Sequence, residues 1–178
     1  LRDFEDTRIK EKLNPVFQTV KILKSKLDSE TTLIGFAGAP WTVAVYMVEG
    51  GSSKDFQKTR LWAYNAPEEF ELLVDCLIES ISTHLINQVG AGAEVVQIFD
   101  TWAGVLPPEQ FEKWVTKPIK KIVESVKSVY PFVPIIGFPV ASIKISISRS
   151  IISSIEFEKF IFSIVSELRP LLMQFFFA

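Results

Sequence analysis

Apolar positions near the start of the chain recur at helical spacing: Val16, Val20, Leu23 and Leu27 predict one buried stripe. Asn14 is a good N-cap, and Pro15 fits a first turn, where its missing N–H costs nothing, so this helix is expected to open there. The pattern then switches to a short apolar run, Thr31 to Phe36, followed by Gly-Ala-Pro: a buried strand ending in a tight loop. Trp41 to Glu49 predicts a short helix stopped by Gly50-Gly51, and Lys54 to Tyr64 a second, more polar one. After Asn65 and Pro67, Phe70, Val74, Leu77, Ile81 and Leu85 mark one face of a long amphipathic helix, which Gly90 and Gly92 end.

Glu94 to Asp100 predicts a second strand, with Thr101 to Leu106 as its loop. Pro107-Pro108 opens another helix, expected to kink or break at Pro118 before it resumes to Val129. Val133 to Phe138 is the third predicted strand. Strands alternating with long helices are what βα units around a parallel sheet require. The polar, glycine-bearing loops follow directly after strands, and in a (β/α)8 barrel those strand ends carry the chemistry. A complete barrel takes about 250 residues. The fold expected is therefore α/β: a partial (β/α)8 barrel of about three βα units over residues 1–139.

From Val140 the character changes. Ser142, Ile143, Ile145, Ser146, Ile147 and Ser148 give strand-like alternation. Ser153 with Glu156 then forms a capping-box pattern ahead of a stripe through Phe157, Phe160, Ile161, Ile164 and Leu168, which Pro170 should stop. Residues 140–178 are accordingly treated as a separate, atypical C-terminal tail.

Charge narrows the partners. A formal charge of −2 without a basic block gives no electrostatic draw toward nucleic acid or an anionic membrane. With one cysteine, Cys76, no internal disulfide can form, and with one histidine, His84, a four-ligand structural zinc site cannot be assembled. A reducing intracellular compartment follows. The acidic start, Leu-Arg-Asp-Phe-Glu-Asp, has no apolar core and is not a signal peptide, and without a Met it is not expected to be the start of translation. No apolar run is long enough to cross a bilayer.

Two separated segments carry a family resemblance. Gly35-Phe36-Ala37-Gly38-Ala39-Pro40-Trp41-Thr42, continuing through Tyr46-Met47-Val48-Glu49-Gly50-Gly51-Ser52-Ser53-Lys54, resembles a signature of the uroporphyrinogen decarboxylase family. So does Gln97-Ile98-Phe99-Asp100-Thr101-Trp102-Ala103-Gly104. Two long matches in the right order say far more than a lone glycine pattern. The resemblance covers residues 1–139, including Pro134 to Pro139.

It implies a (β/α)8 barrel that dimerises and needs no metal or organic cofactor. The implied reaction removes the four acetate carboxyls of uroporphyrinogen III, giving coproporphyrinogen III in porphyrin and haem biosynthesis, in the cytoplasm or a plastid. The chemistry implied is protonation of a pyrrole carbon, with arginines holding substrate carboxylates and an aspartate facing the pyrrole N–H groups. Two substrate-binding positions carry over: Tyr46, matching a cleft tyrosine, and Thr101, at a position usually serine, where the hydroxyl is kept. The family's arginine-rich motif and central aspartate are expected upstream of residue 1, so no catalytic position is assigned here. After Phe138-Pro139 the family continues Lys-Gly-Ala-Gly, whereas this chain reads Val140-Ala141-Ser142-Ile143. The resemblance is lost there, and the isolated chain is expected to be inactive.

Plainer roles compete at each position. Without the flanking match, Tyr46 would be core packing and Thr101 a turn residue or cap. Asp100 is expected to orient its loop through backbone hydrogen bonds rather than to take part in the chemistry. Gly50-Gly51-Ser52-Ser53-Lys54 lacks P-loop spacing and is a helix C-cap with a linker. His84 is expected to be satisfied or solvent-facing, Cys76 a small buried apolar side chain, and Trp41 and Trp102 packing groups. The enzymatic rival is a related zinc methyltransferase, for which the chain has too few His and Cys ligands. The rival from another class is a non-catalytic remnant that binds porphyrinogen or a partner subunit.

Overall fold

The computed structural model describes residues 6–50 and 55–139. Along the chain come α1 (Asp6–Lys26), β1 (Ile34–Gly38), α2 (Pro40–Glu49), α3 (Gln57–Asn65), α4 (Pro67–Ala91) and β2 (Val95–Asp100). A 3₁₀ turn (Ala103–Val105) follows. Then α5 (Pro108–Phe111) runs through a π-helical turn (Glu112–Thr116) into α6 (Lys117–Val129), and β3 (Ile135–Pro139) closes the series. The strand and helix expected within 140–178 lie outside the described residues, as does the linker at 51–54.

The strands form a parallel sheet in the order β1-β2-β3, with Phe36 opposite Gln97 and Phe99 opposite Phe138. Parallel neighbours need long crossovers. Here α2, α3 and α4 connect the first pair, and α5 and α6 the second. Ala37, Val96 and Ile98 bury themselves in the helix layer with Val45, Phe70, Leu77, Leu85, Trp114 and Ile122. The other face of the sheet is largely apolar, with the buried Gln97 in its middle. Phe36, Phe99 and Phe138 run across it edge to face, with centroids 5.9 and 6.2 Å apart. Phe36 and Ile34 there remain 36% and 39% exposed. This is a partial (β/α)8 barrel with helices on one face.

Several local expectations need correction. The first helix begins at Asp6, so Asn14 is not its cap and Pro15 lies inside it. Pro15 removes one main-chain bond, but Phe17 and Val20 anchor this helix, Phe17 stacking 5.6 Å from His84 of α4. The buried stripe therefore runs through Phe17 and Val20, while Val16 and Leu23 are exposed. The first strand starts at Ile34 instead of Thr31, and α3 at Gln57 instead of Lys54. Pro118 does not break its helix: it sits in the first turn of α6, directly after the π-helical turn. A wider turn accommodates a residue without an N–H.

Candidate functional site

The ends of β1 and β2 bring two loops together. Ala39, just past β1, donates its N–H to Phe99 O at 2.7 Å. Pro40 then starts α2 with its φ already helical, and the helix ends where Gly50 adopts φ +71°, a left-handed C-cap that favours glycine. Glu49, on its last turn, accepts bonds from the amide and hydroxyl of Thr59 at 3.0 and 2.9 Å, which ties α2 to the start of α3.

The N-terminal turn of α2 reaches across to the loop after β2. Thr42 donates its hydroxyl proton to Asp100 Oδ1 at 2.6 Å. The amide of Trp102 donates to Thr42 Oγ1 at 3.2 Å, and the Trp41 indole N–H donates to Trp102 O at 3.0 Å. Asp100 is fully buried. Burial pushes its carboxyl up to about 7, against the opposing hydrogen bonds from Thr42. Its Oδ2 has no hydrogen-bond partner among the described residues.

The expected site residues sit around this junction. Tyr46 is half-buried on α2, with its ring 6.3 Å from that of Trp102. Thr101 is exposed, immediately before Trp102. The Trp102 ring system also meets Phe56 at 4.8 Å, and Phe56 caps α3 with φ +48°, a strained value for a non-glycine residue. The structure thus puts Tyr46 and Thr101 at one end of the sheet, linked through Trp102.

Asp100 orients its loop, but through the Thr42 side chain as well as through backbone groups. Thr42 was not legible as a site residue; the signal is a threonine two residues into a helix that follows one strand and faces the end of the next. Trp41 is packing, fully buried with its ring 5.9 Å from Phe70. Cys76, on α4, is only half-buried, so it is not the buried apolar side chain expected. His84 is paired on one side: its Nε2 lies 2.9 Å from Gln88 Nε2.

A depression of about 310 Å³ lies elsewhere, between α3 and the start of α5, lined by Arg60, Leu61, Tyr64, Leu106 and Gln110 among others. It includes neither Tyr46 nor Thr101. The strand-end junction carries the buried polar network and is the better candidate. Among the described residues, no three His, Cys, Asp or Glu side chains are grouped to hold a metal ion. No helix among them is long and apolar enough to cross a membrane.

Fold and junction define the class first: parallel βα units with a polar network at the C-terminal strand ends, as in (β/α)8 barrels. Comparison with known proteins narrows this. The sequence model of the family "Uroporphyrinogen decarboxylase (URO-D)" matches residues 1–160. A uroporphyrinogen decarboxylase of Rhodospirillum rubrum is 53% identical over 135 residues, 76% of this chain and 39% of that protein. Those of Brucella canis and Brucella suis are 47% identical over 135 residues, 76% of this chain and 40% of theirs. The chain belongs to the uroporphyrinogen decarboxylase family. It spans about two-fifths of the length of the curated relatives it matches.

Proposed function

We propose that this sequence belongs to an enzyme that decarboxylates the four acetate side chains of uroporphyrinogen III to coproporphyrinogen III, without a cofactor, as a homodimer in the cytoplasm or a plastid. Tyr46 and Thr101 contact the substrate. The observation that supports this is the Tyr46 ring lying against that of Trp102, the residue that follows Thr101 just past the C-terminal end of β2. A phenol and a hydroxyl there can accept a pyrrole N–H or donate to a carboxylate. Residues 1–139 are the barrel portion, and 140–178 an atypical tail, of which the family's sequence model still covers the part up to residue 160.

The 178 residues by themselves are not expected to turn over substrate. Decarboxylation needs charge stabilised in a water-excluded site, whereas the sheet face that continues from these loops leaves Phe36, in mid-strand, partly accessible. The purified chain, incubated anaerobically with uroporphyrinogen III, should bind it and yield no coproporphyrinogen by chromatography. Binding should weaken in Y46A and in T101V. Turnover would show that the residues present suffice, and binding unchanged in both variants would remove them from the site.

A further inference from the structure

Thr42 and Tyr46 stand one helical turn apart on α2, an i,i+4 pair on one face. Asp100, Thr101 and Trp102 are consecutive in the loop that α2 meets. One hydroxyl therefore grips both neighbours of Thr101. A threonine has one proton, which goes to Asp100 Oδ1 at 2.6 Å, and its oxygen lone pairs accept the Trp102 amide at 3.2 Å. The adjacent Trp41 indole holds the carbonyl of the same Trp102. Both main-chain groups of Trp102 are thus fixed from α2, while Thr101, between the two anchors, presents its side chain outward.

Thr42 and Asp100 are both buried, so this bond does not exchange with water and fixes a geometry. Packing alone would not require it. A valine at position 42 would fill the same space and make neither side-chain bond, keeping only the main-chain bond to Asp100.

We infer that Thr42 and Asp100 are positioning residues for substrate: their bond sets the placement of Thr101 relative to Tyr46. The inference rests on the assignment of Tyr46 and Thr101 to the substrate. It predicts that geometry matters here rather than charge, because Asn at position 100 keeps an oxygen to accept the Thr42 proton.

The test uses the 178-residue chain and two readouts: equilibrium binding of uroporphyrinogen III, and the amide resonances of Tyr46 and Thr101. T42V should weaken binding by about tenfold and move both resonances, as expected when a positioning contact far from the chemistry is lost. T42S should restore both readouts, and D100N should resemble T42S. A folded T42V whose Tyr46 and Thr101 resonances stay in place overturns the inference. So does a T42S that binds as poorly as T42V. A D100N chain that loses binding while its resonances stay in place would show charge acting directly, which also overturns it. If T42V fails to fold, T42A takes its place, and a folded T42A whose Tyr46 and Thr101 resonances stay where they are in wild type overturns the inference. A wild-type chain that does not bind defeats the substrate assignment itself; the resonances then decide separately whether Thr42 couples the two loops.

Discussion

A carboxyl group with no access to water, and only the neutral hydroxyl and amide of Thr42 as donors, favours its protonated form, which is why Asp100 is raised to about 7. Between about pH 4 and 7 the folded chain then holds a proton that the unfolded chain has released. The unfolded state binds fewer protons there, so stability falls as pH rises through that window. Each tenfold difference in proton affinity between the two states is worth about 1.4 kcal/mol, so the loss across the window is on the order of a few kcal/mol. Denaturant titrations at pH 5 and pH 8 should show wild type weakening at the higher pH and D100N showing much less difference. An equal pH response in the two proteins would mean that Asp100 is solvated. Composition and periodicity could not have found this pair, since 42 and 100 meet only when two loops fold together. The family resemblance pointed to Tyr46 and Thr101, but it said nothing of the hydroxyl that joins their supports. Asp100 looked like a turn former from its neighbours, because a sequence shows the loop and not the helix end above it.

At the level of elements, the edge of β1 is held by a side chain. Ala39 N and Leu33 O bond toward β2 and its approach, so the main-chain groups of Phe36 face the other edge. There the Gln88 amide of α4 accepts from Phe36 N at 3.1 Å and donates to Phe36 O at 2.8 Å. Its second proton points to His84 Nε2, so that nitrogen must be unprotonated. Burial lowers the His84 pKa, in keeping with a neutral ring. A depressed histidine contributes stability above its unfolded pKa of about 6.5 and loses it as pH falls. That sign is opposite to the Asp100 effect, so the two separate only in variants. Q88L should cost about 1–3 kcal/mol in denaturant titration and speed hydrogen exchange at Phe36, because two strand groups lose their partners. Unchanged exchange at Phe36 would mean that the clamp is incidental. The alternation of strand and helix was legible because short β-rich runs and long 3.6-period stripes differ clearly. The start of α1 was not, since Asn14-Pro15 is a strong local signal that the packing of Phe17 and Val20 overrides.

For the whole molecule, what matters is that the helices cover one face of the sheet. A barrel strand buries both of its faces, and its sequence is correspondingly apolar at consecutive positions, as in Val95-Val96 and Ile135-Ile136. The three described strands do not close on themselves, and the row of Phe36, Phe99 and Phe138 forms a largely apolar strip in which Phe36 and Ile34 are partly exposed. Burying such a strip against another copy removes apolar area from water at about 25 cal/mol per Å². The isolated chain should therefore self-associate and bind an apolar fluorescent dye, more strongly as salt rises and screens its net negative charge. A lysine on this face should oppose association, since a charge there cannot be desolvated without a partner. In sedimentation at several concentrations, F36K should shift toward monomer, and a charge change on the distant helical surface, such as K120E, should not. If F36K associates as wild type does, the strip is covered within the chain and another surface drives assembly. If it becomes monomeric and keeps its helical signal, the βα units fold independently and the exposed barrel interior is what makes the chain adhesive.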